Sequence, residues 1–126
     1  MKAILDSSVI LAIIRSEAGE QRALALAQDA WISSVNLGEV ITKCIEQNLP
    51  EADGIDIVVS CNIEVVPFSE EQAILAGQLR RKAPKGVLSL GDRACLATAI
   101  LSGRTAVTAD KAWTEFDMGC KVELIR

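Results

Sequence analysis

Short β-rich segments alternate with helical segments along the whole chain, and this alternation limits the folds open to it. The strand candidates are residues 2–5, 30–32, 63–66, 105–108 and 121–125. The helix candidates are residues 7–14, 21–28, 34–47, 50–60, 69–82 and 89–101. Strands separated by helices pair in parallel, with helices packed on both faces of the sheet. The sequence therefore predicts an α/β protein with a doubly wound parallel sheet.

Residues at the helix ends support these boundaries. Ser69 is followed by Gln72 three residues later, a spacing typical of a capping box at a helix N-terminus. Gly103 ends the helix that begins at Ser89. Residues 94–101 of that helix have almost no polar face, so we expect it to be the most buried helix.

The length and the uninterrupted pattern indicate one domain over residues 1–126, within the commonest size range of domains. The first apolar run, residues 9–14, is too short for a membrane span or a signal sequence. The four cysteines form no C-x-x-C pair, which argues against zinc and dithiol redox sites. We therefore expect a cytoplasmic protein with reduced cysteines.

Residue types that the sequence lacks exclude several kinds of chemistry. The chain has no His, which removes Ser-His-Asp and Cys-His nucleophiles and all His metal ligands. It has no Tyr and only 3% aromatic residues, so a platform for stacking bases is not expected. No G-x-x-x-x-G-K-[ST] segment is present, which excludes a P-loop NTPase.

Four carboxylates stand at the ends of predicted elements: Asp6, Glu39, Asp92 and Asp110. Each also has an ordinary structural explanation. Asp6 and Asp110 are suited to be helix N-caps. Asp92 can close a Ser-x-x-Asp cap with Ser89 and complement the helix dipole. Glu39 can be a solvated helix residue.

Taken together, the four carboxylates point to a shared site. If the first and fourth strands are neighbours, Asp6 and Asp110 emerge side by side, and Asp92 and Glu39 can border the same crevice. Carboxylates this close repel one another and recruit cations. With no His ligand, an all-oxygen site favours Mg²⁺ or Mn²⁺. Two such ions can polarise a phosphodiester, activate a water and stabilise the leaving oxygen.

Four segments of the chain resemble, in this order, the motifs of PIN-domain ribonucleases. They read AILDSSVILA, ISSVNLGEV, LSLGDRACLATA and VTADKAW. The segment LSLGDRACLA is the most specific of them. The likeness runs from residue 2 to about residue 116, and it is greatest to the VapC-type toxins of bacterial toxin–antitoxin pairs. It implies a PIN-like fold with a five-stranded parallel sheet flanked by helices.

The resemblance also implies which residues act and with what partners. The residues that match the family's metal-binding and catalytic acids are Asp6, Glu39, Asp92 and Asp110. Ser8 and Thr108 match small polar positions that support the site. The implied activity is an endoribonuclease in which water attack, assisted by Mg²⁺ or Mn²⁺, leaves 5′-phosphate and 3′-hydroxyl ends. The implied assembly is a homodimer inhibited by a small antitoxin whose tail covers the site.

Five basic residues are candidates for binding RNA. The densest basic run is Arg80, Arg81, Lys82 and Lys85. It either contacts the RNA backbone or is a cationic helix end favoured by the helix dipole. Arg93 either pairs with a site carboxylate or contacts phosphate. The net charge of −4 argues against RNA, but withdrawing the four site carboxylates leaves the remaining surface near neutral.

Two alternatives from other classes fit the same outline. A phosphoacceptor receiver domain shares the size, the fold class and strand-end acids. It requires paired acids after the first strand, where this chain has Asp6 followed by Ser7 and Ser8. It also requires an Asp at the end of the third strand, where Val66 and Pro67 stand. The second alternative is a non-catalytic partner-binding domain that retains the acids only as helix caps.

Overall fold

A computed structural model describes residues 1–126 and contains one five-stranded sheet. The strands are β1 (Ala3–Leu5), β2 (Trp31–Ser33), β3 (Glu64–Val66), β4 (Thr105–Thr108) and β5 (Val122–Leu124). Their order is β3-β2-β1-β4-β5, and every neighbouring pair is parallel. The predicted five-stranded parallel sheet is confirmed.

Six α-helices connect the strands. They are α1 (Ser7–Ile14), α2 (Glu20–Ala27), α3 (Ser34–Glu46), α4 (Ala52–Ser60), α5 (Glu70–Gln78) and α6 (Leu90–Ser102). Two short 3-10 helices cover Leu79–Lys82 and Lys111–Thr114. The expected capping box of Ser69 and Gln72 is present at the start of α5, and all helices except α5 end within about two residues of the predicted position.

The helix predicted over residues 69–82 is shorter than expected. It stops at Gln78, and the chain continues as the 3-10 helix Leu79–Lys82. Ala83 then adopts extended backbone, with φ −147° and ψ 158°. Extended backbone is favoured there because Pro84 disfavours the helical conformation in the residue before it.

The sheet has helices on both faces. Successive residues of β1 point to opposite sides: Ala3 and Leu5 join the core cluster formed with α1, α2 and α3, whereas Ile4 joins the cluster formed with α6. The side chains of Val107 and Ala106 in β4 divide between the two clusters in the same way. The fold is therefore doubly wound, as predicted.

The helix α6 is the most buried helix, as its sequence predicts. Its buried residues are Gly91, Ala94, Cys95, Leu96, Ala97, Thr98 and Ala99. It ends at Gly103, whose positive φ of 70° closes the helix in the left-handed conformation. None of the helices has the length and apolar character needed to cross a bilayer.

The strand order reverses at β1, with β2 and β3 on one side and β4 and β5 on the other. Such a switch point opens a crevice at the carboxyl ends of the strands. Leu5 pairs with Val107, and the Asp6 N–H donates to the Val107 carbonyl at 2.9 Å. The first and fourth strands are therefore neighbours in the sheet, as expected. The order also differs from the 2-1-3-4-5 order typical of receiver-like folds, which counts against that alternative.

Candidate metal centre

Asp6 lies at the switch point, directly after β1 and at the N-cap position of α1. Its side chain makes no capping hydrogen bond to the helix, so the N-cap explanation does not account for this residue. The residue is only 4% exposed, and its carboxylate is bound instead by hydroxyl groups. Ser8 Oγ donates to Asp6 Oδ2 at 2.7 Å, and Thr108 Oγ1 donates to the same oxygen at 2.9 Å.

The two hydroxyl groups are themselves fixed by the backbone after β4. Ser8 Oγ accepts from the Ala109 N–H at 3.0 Å, and Thr108 Oγ1 accepts from the Asp110 N–H at 3.1 Å. Each hydroxyl thus has its proton directed to the carboxylate of Asp6 and its lone pair directed to a backbone amide. This places Ser8 and Thr108 where the resemblance assigns them a supporting role.

Glu39 lies in the second turn of α3 and reaches across to α6. Asn36 Nδ2 donates to Glu39 Oε1 at 2.9 Å, one helical turn earlier, and to the Gly91 carbonyl at 3.0 Å. The Glu39 carboxylate rests directly against the Cα of Gly91, so that a Cβ at residue 91 would overlap it. Glu39 is therefore held at the start of α6 rather than extended into solvent.

Sequence reasoning missed two residues of this contact. Asn36 stands three residues before Glu39, the spacing at which helix side chains meet, and this signal was present in the sequence. Gly91 lies inside the most specific motif, yet nothing local shows that its missing side chain makes room for a residue of α3. That requirement depends on the packing of α3 against α6.

Asp92 has the capping role that its sequence position allows. Its Oδ2 accepts from the Ser89 N–H at 3.0 Å, and its own N–H donates to Ser89 Oγ at 3.1 Å. It is also electrostatically part of the site. Burial is the main cause that raises the pKa of Asp92 to about 6, and the charges of Asp6 and Glu39 contribute to the rise. The two hydrogen bonds from Ser89 act in the opposite direction and lower it. The capping and the site explanations therefore both hold for Asp92.

The pKa values of Asp6 and of the buried Cys95 thiol are both raised, in part by neighbouring carboxylates. Burial is the main cause that raises the pKa of Asp6, with Glu39 adding to it and the hydroxyl groups of Ser8 and Thr108 opposing it. Burial also raises the pKa of Cys95 well above its ordinary value, and Asp6, Asp92 and Glu39 all contribute. The three carboxylates therefore act on a common region beside α6.

Asp110 has the N-cap role that its sequence position allows. It is exposed, and its Oδ1 accepts from the Ala112 N–H at 3.0 Å to cap the 3-10 helix Lys111–Thr114. This 3-10 helix was not among the sequence predictions. The backbone of Asp110 is linked to the site through Thr108, but its carboxylate bonds to the turn that follows.

The donor chemistry fits a hard divalent cation. The charged groups near the crevice are carboxylates, and the Cys95 thiol beneath them is held in its protonated form by the raised pKa. Oxygen-only ligands suit Mg²⁺ or Mn²⁺. No three acidic or thiol side chains stand close enough together to form a ready-made metal group. Binding of one ion by these carboxylates would require them to move closer together.

The predicted RNA-binding residues occupy two different settings. Arg80, Arg81, Lys82 and Lys85 are exposed, the first three on the 3-10 helix after α5. Arg93 makes no ion pair with a carboxylate; its guanidinium donates to the Ala76 carbonyl at 3.1 Å. Of the two roles considered for Arg93, pairing with a site acid is absent, because this side chain binds α5 instead.

Comparison with known proteins identifies the family. Residues 3–118 match the PIN domain family. The match covers nearly the whole chain, so the protein belongs to the PIN domain family. The resemblance inferred from the four sequence segments is confirmed.

Solved structures with the same fold include components of bacterial toxin–antitoxin systems. A toxin–antitoxin complex from Klebsiella pneumoniae matches with 20% identity and a TM-score of 0.75, over 99% of this chain and 98% of that chain. VapBC2 of Rickettsia felis matches with 20% identity and a TM-score of 0.73, over 98% of each chain. VapC20 of Mycobacterium tuberculosis, described as a sarcin–ricin loop cleaving toxin, has 18% identity and a TM-score of 0.75, over 90% and 94% of the two chains. Among proteins of curated function, none matches significantly.

Proposed function

We propose that this protein is a metal-dependent endoribonuclease and the toxin of a toxin–antitoxin pair, acting as a single domain over residues 1–126. The observation that supports the proposal is the buried carboxylate of Asp6 at the switch point of a PIN fold, whose charge acts on Asp92 and is acted on by Glu39. The pKa of Asp92 is raised by burial and then by the other two acids. Such mutual repulsion is relieved when a cation binds among the carboxylates.

In the proposed site, Asp6 and Asp92 are the principal ligands of Mg²⁺ or Mn²⁺, and Glu39 and Asp110 complete the shell directly or through water. When bound, the cation polarises the phosphodiester and lowers the pKa of a water molecule. Ser8 and Thr108 orient Asp6 through Oδ2. The other oxygen, Oδ1, accepts only a long hydrogen bond of 3.5 Å from Ser7 Oγ, and it is the oxygen proposed to face the ion. Glu39 or Asp110 orients the attacking water. The expected products carry 5′-phosphate and 3′-hydroxyl ends.

The RNA-binding surface is proposed to include the exposed basic run that precedes α6. Arg80, Arg81 and Lys82 follow α5, which packs against α6, and Lys85 lies in the loop that leads to the capping box of Asp92. Lys and Arg side chains bind the phosphate backbone without reading its sequence. Arg93 is a weaker candidate because it is bound to the Ala76 carbonyl.

The partner and the assembly are proposed from the structural neighbours. Structures with this fold include toxin–antitoxin complexes from Klebsiella pneumoniae and Rickettsia felis. We therefore propose that a small antitoxin inhibits this protein. The resemblance of the four sequence segments to VapC-type toxins supports two further proposals, that the protein is a homodimer and that it acts in the cytoplasm. Four free cysteines are compatible with a reducing compartment.

Cleavage of total cellular RNA by the purified protein tests this function. The reaction is run with Mg²⁺, with Mn²⁺ and with EDTA, with Asp92→Asn as the matched inactive variant, and the new ends are mapped. Metal-dependent cuts with 5′-phosphate ends, absent from the variant, are expected. Ends with 2′,3′-cyclic phosphate would contradict the proposed water attack, because they report attack by the ribose hydroxyl. Absence of both cuts and Mn²⁺ binding would favour the non-catalytic partner-binding alternative.

A further inference from the structure

Asn36 is a fully buried polar residue in the first turn of α3. Its amide group donates two hydrogen bonds, one to Glu39 Oε1 at 2.9 Å and one to the Gly91 carbonyl at 3.0 Å. It therefore joins the second turn of its own helix to the residue before Asp92 on α6. No other side chain hydrogen-bonds to the Glu39 carboxylate.

The amide oxygen of Asn36 has no hydrogen-bond partner, although it is buried. Reversing the amide would not relieve this, because the oxygen would then face two acceptors, the Glu39 carboxylate and the Gly91 carbonyl. A buried acceptor without a partner destabilises the fold. An apolar residue of similar outline, such as Leu, would avoid that cost. What Asn provides here and Leu cannot is the amide donor that binds both the Glu39 carboxylate and the Gly91 carbonyl.

Gly91 provides the other half of the contact. The Glu39 carboxylate occupies the space in which a side chain at residue 91 would begin. The Asn36 amide bonds to the carbonyl of this same glycine. The amide and the bare Cα together hold the carboxylate in the first turn of α6, against the residue that precedes Asp92.

We propose that Asn36 is a positioning residue, which holds the Glu39 carboxylate against Gly91 in the arrangement needed to bind a divalent cation and hydrolyse RNA. This inference rests on the proposed function. Asn36 does not itself touch RNA, because its side chain is fully buried. Its effect must therefore pass through Glu39, and this dependence is the property that an experiment can isolate.

A double-mutant cycle of Asn36→Ala and Glu39→Gln tests the dependence, with Mn²⁺ affinity measured by calorimetry. Residues that orient a metal ligand typically contribute about 10- to 100-fold in affinity or activity. We expect Asn36→Ala to weaken Mn²⁺ binding by about 10-fold or more in the wild-type background, and by less than about 2-fold when Glu39→Gln is already present. In RNA cleavage, kcat should fall while KM stays unchanged.

Two further variants separate positioning from stability. Val40→Ala removes methyl groups from a fully buried neighbour on α3 that packs towards Gly54, so it should lower the thermal midpoint without changing Mn²⁺ affinity. Asn36→Leu fills the buried volume without the amide donor, so it should lower the thermal midpoint less than Asn36→Ala does while weakening Mn²⁺ binding to the same extent.

Several results would overturn the inference. They are wild-type Mn²⁺ affinity in Asn36→Ala, an equal loss in both backgrounds of the cycle, or the same loss of affinity in Val40→Ala. If wild-type protein binds Mn²⁺ but cleaves no RNA, the proposed function fails while the cycle still decides the role of Asn36. If wild-type protein binds no Mn²⁺, both proposals fail.

Discussion

Replacing Asp92 with Asn should stabilise the metal-free protein while abolishing RNA cleavage. Burial and the charges of Asp6 and Glu39 raise the pKa of Asp92 from 3.8 to about 6 in the folded protein. The folded state therefore favours the neutral carboxyl. The resulting stability is fully present below the unfolded pKa near 3.8 and is lost as the pH rises through about 6. Asn remains neutral at every pH and retains an acceptor for the Ser89 N–H.

The size of the effect follows from the pKa difference. A rise from 3.8 to about 6 corresponds to about 3 kcal/mol at most, and partial exposure of Asp92 reduces this to about 1–2 kcal/mol. Losing the charge at the helix N-terminus costs about 0.3–1 kcal/mol. A net gain of about 1 kcal/mol remains, which raises the thermal midpoint of a domain of this size by about 4 °C.

Thermal and urea unfolding in EDTA measure this gain. At pH 7.5, Asp92→Asn should unfold at a higher temperature than wild type, and the difference should shrink below pH 6 and close near pH 4. Asp110→Asn is the matched control, because Asp110 is exposed and caps only a 3-10 helix. A variant less stable than wild type at pH 7.5, or a difference that does not vary with pH, would refute the electrostatic reasoning.

Three further outcomes are expected. Gly91→Ala should displace the carboxylate of Glu39 and lower RNA cleavage by about 10-fold or more. The thermal midpoint should change little, since Ala is favoured over Gly in helices by about 1 kcal/mol. Full activity would contradict the proposal that the contact between Glu39 and Gly91 is needed for cleavage. Mn²⁺ at about 100 times its Kd should stabilise wild type by about 2.7 kcal/mol in urea unfolding, whereas an equal gain in Asp6→Asn would remove that residue from the site. The double variant Arg81→Gln, Lys82→Gln should reduce the slope of the logarithm of the RNA-binding constant against the logarithm of the salt concentration by up to about 1.4. An unchanged slope would show that neither residue contacts the RNA backbone.

The fold was predictable because its signals are local and repeated. The capping box at Ser69, the apolar helix α6 and its glycine end each follow from neighbouring residues, and strand–helix alternation gives the parallel sheet. The extended backbone of Ala83 follows from a local rule as well, since Pro84 restricts the residue before it. The change from α-helix to 3-10 helix at Leu79 has no comparable signal in the neighbouring residues.

The candidate site was predictable in its acids and less so in their surroundings. Asp6 and Asp92 stand at element ends, where sequence position alone indicates a shared edge. The hydrogen bond from Asn36 to the Gly91 carbonyl joins residues 55 positions apart, so this contact exists only once α3 packs on α6. The position of the Asp110 carboxylate depends on a short 3-10 helix that leaves a weak sequence pattern.

Crystals of the wild-type protein soaked in Mn²⁺ and measured at the manganese absorption edge provide the most direct test of the proposed centre. An anomalous difference peak should lie among the carboxylates of Asp6, Glu39 and Asp92, and it should be absent from crystals of Asp6→Asn. No peak at saturating Mn²⁺, or a peak only at acidic residues elsewhere on the surface, would contradict the assignment of these three residues to one metal site.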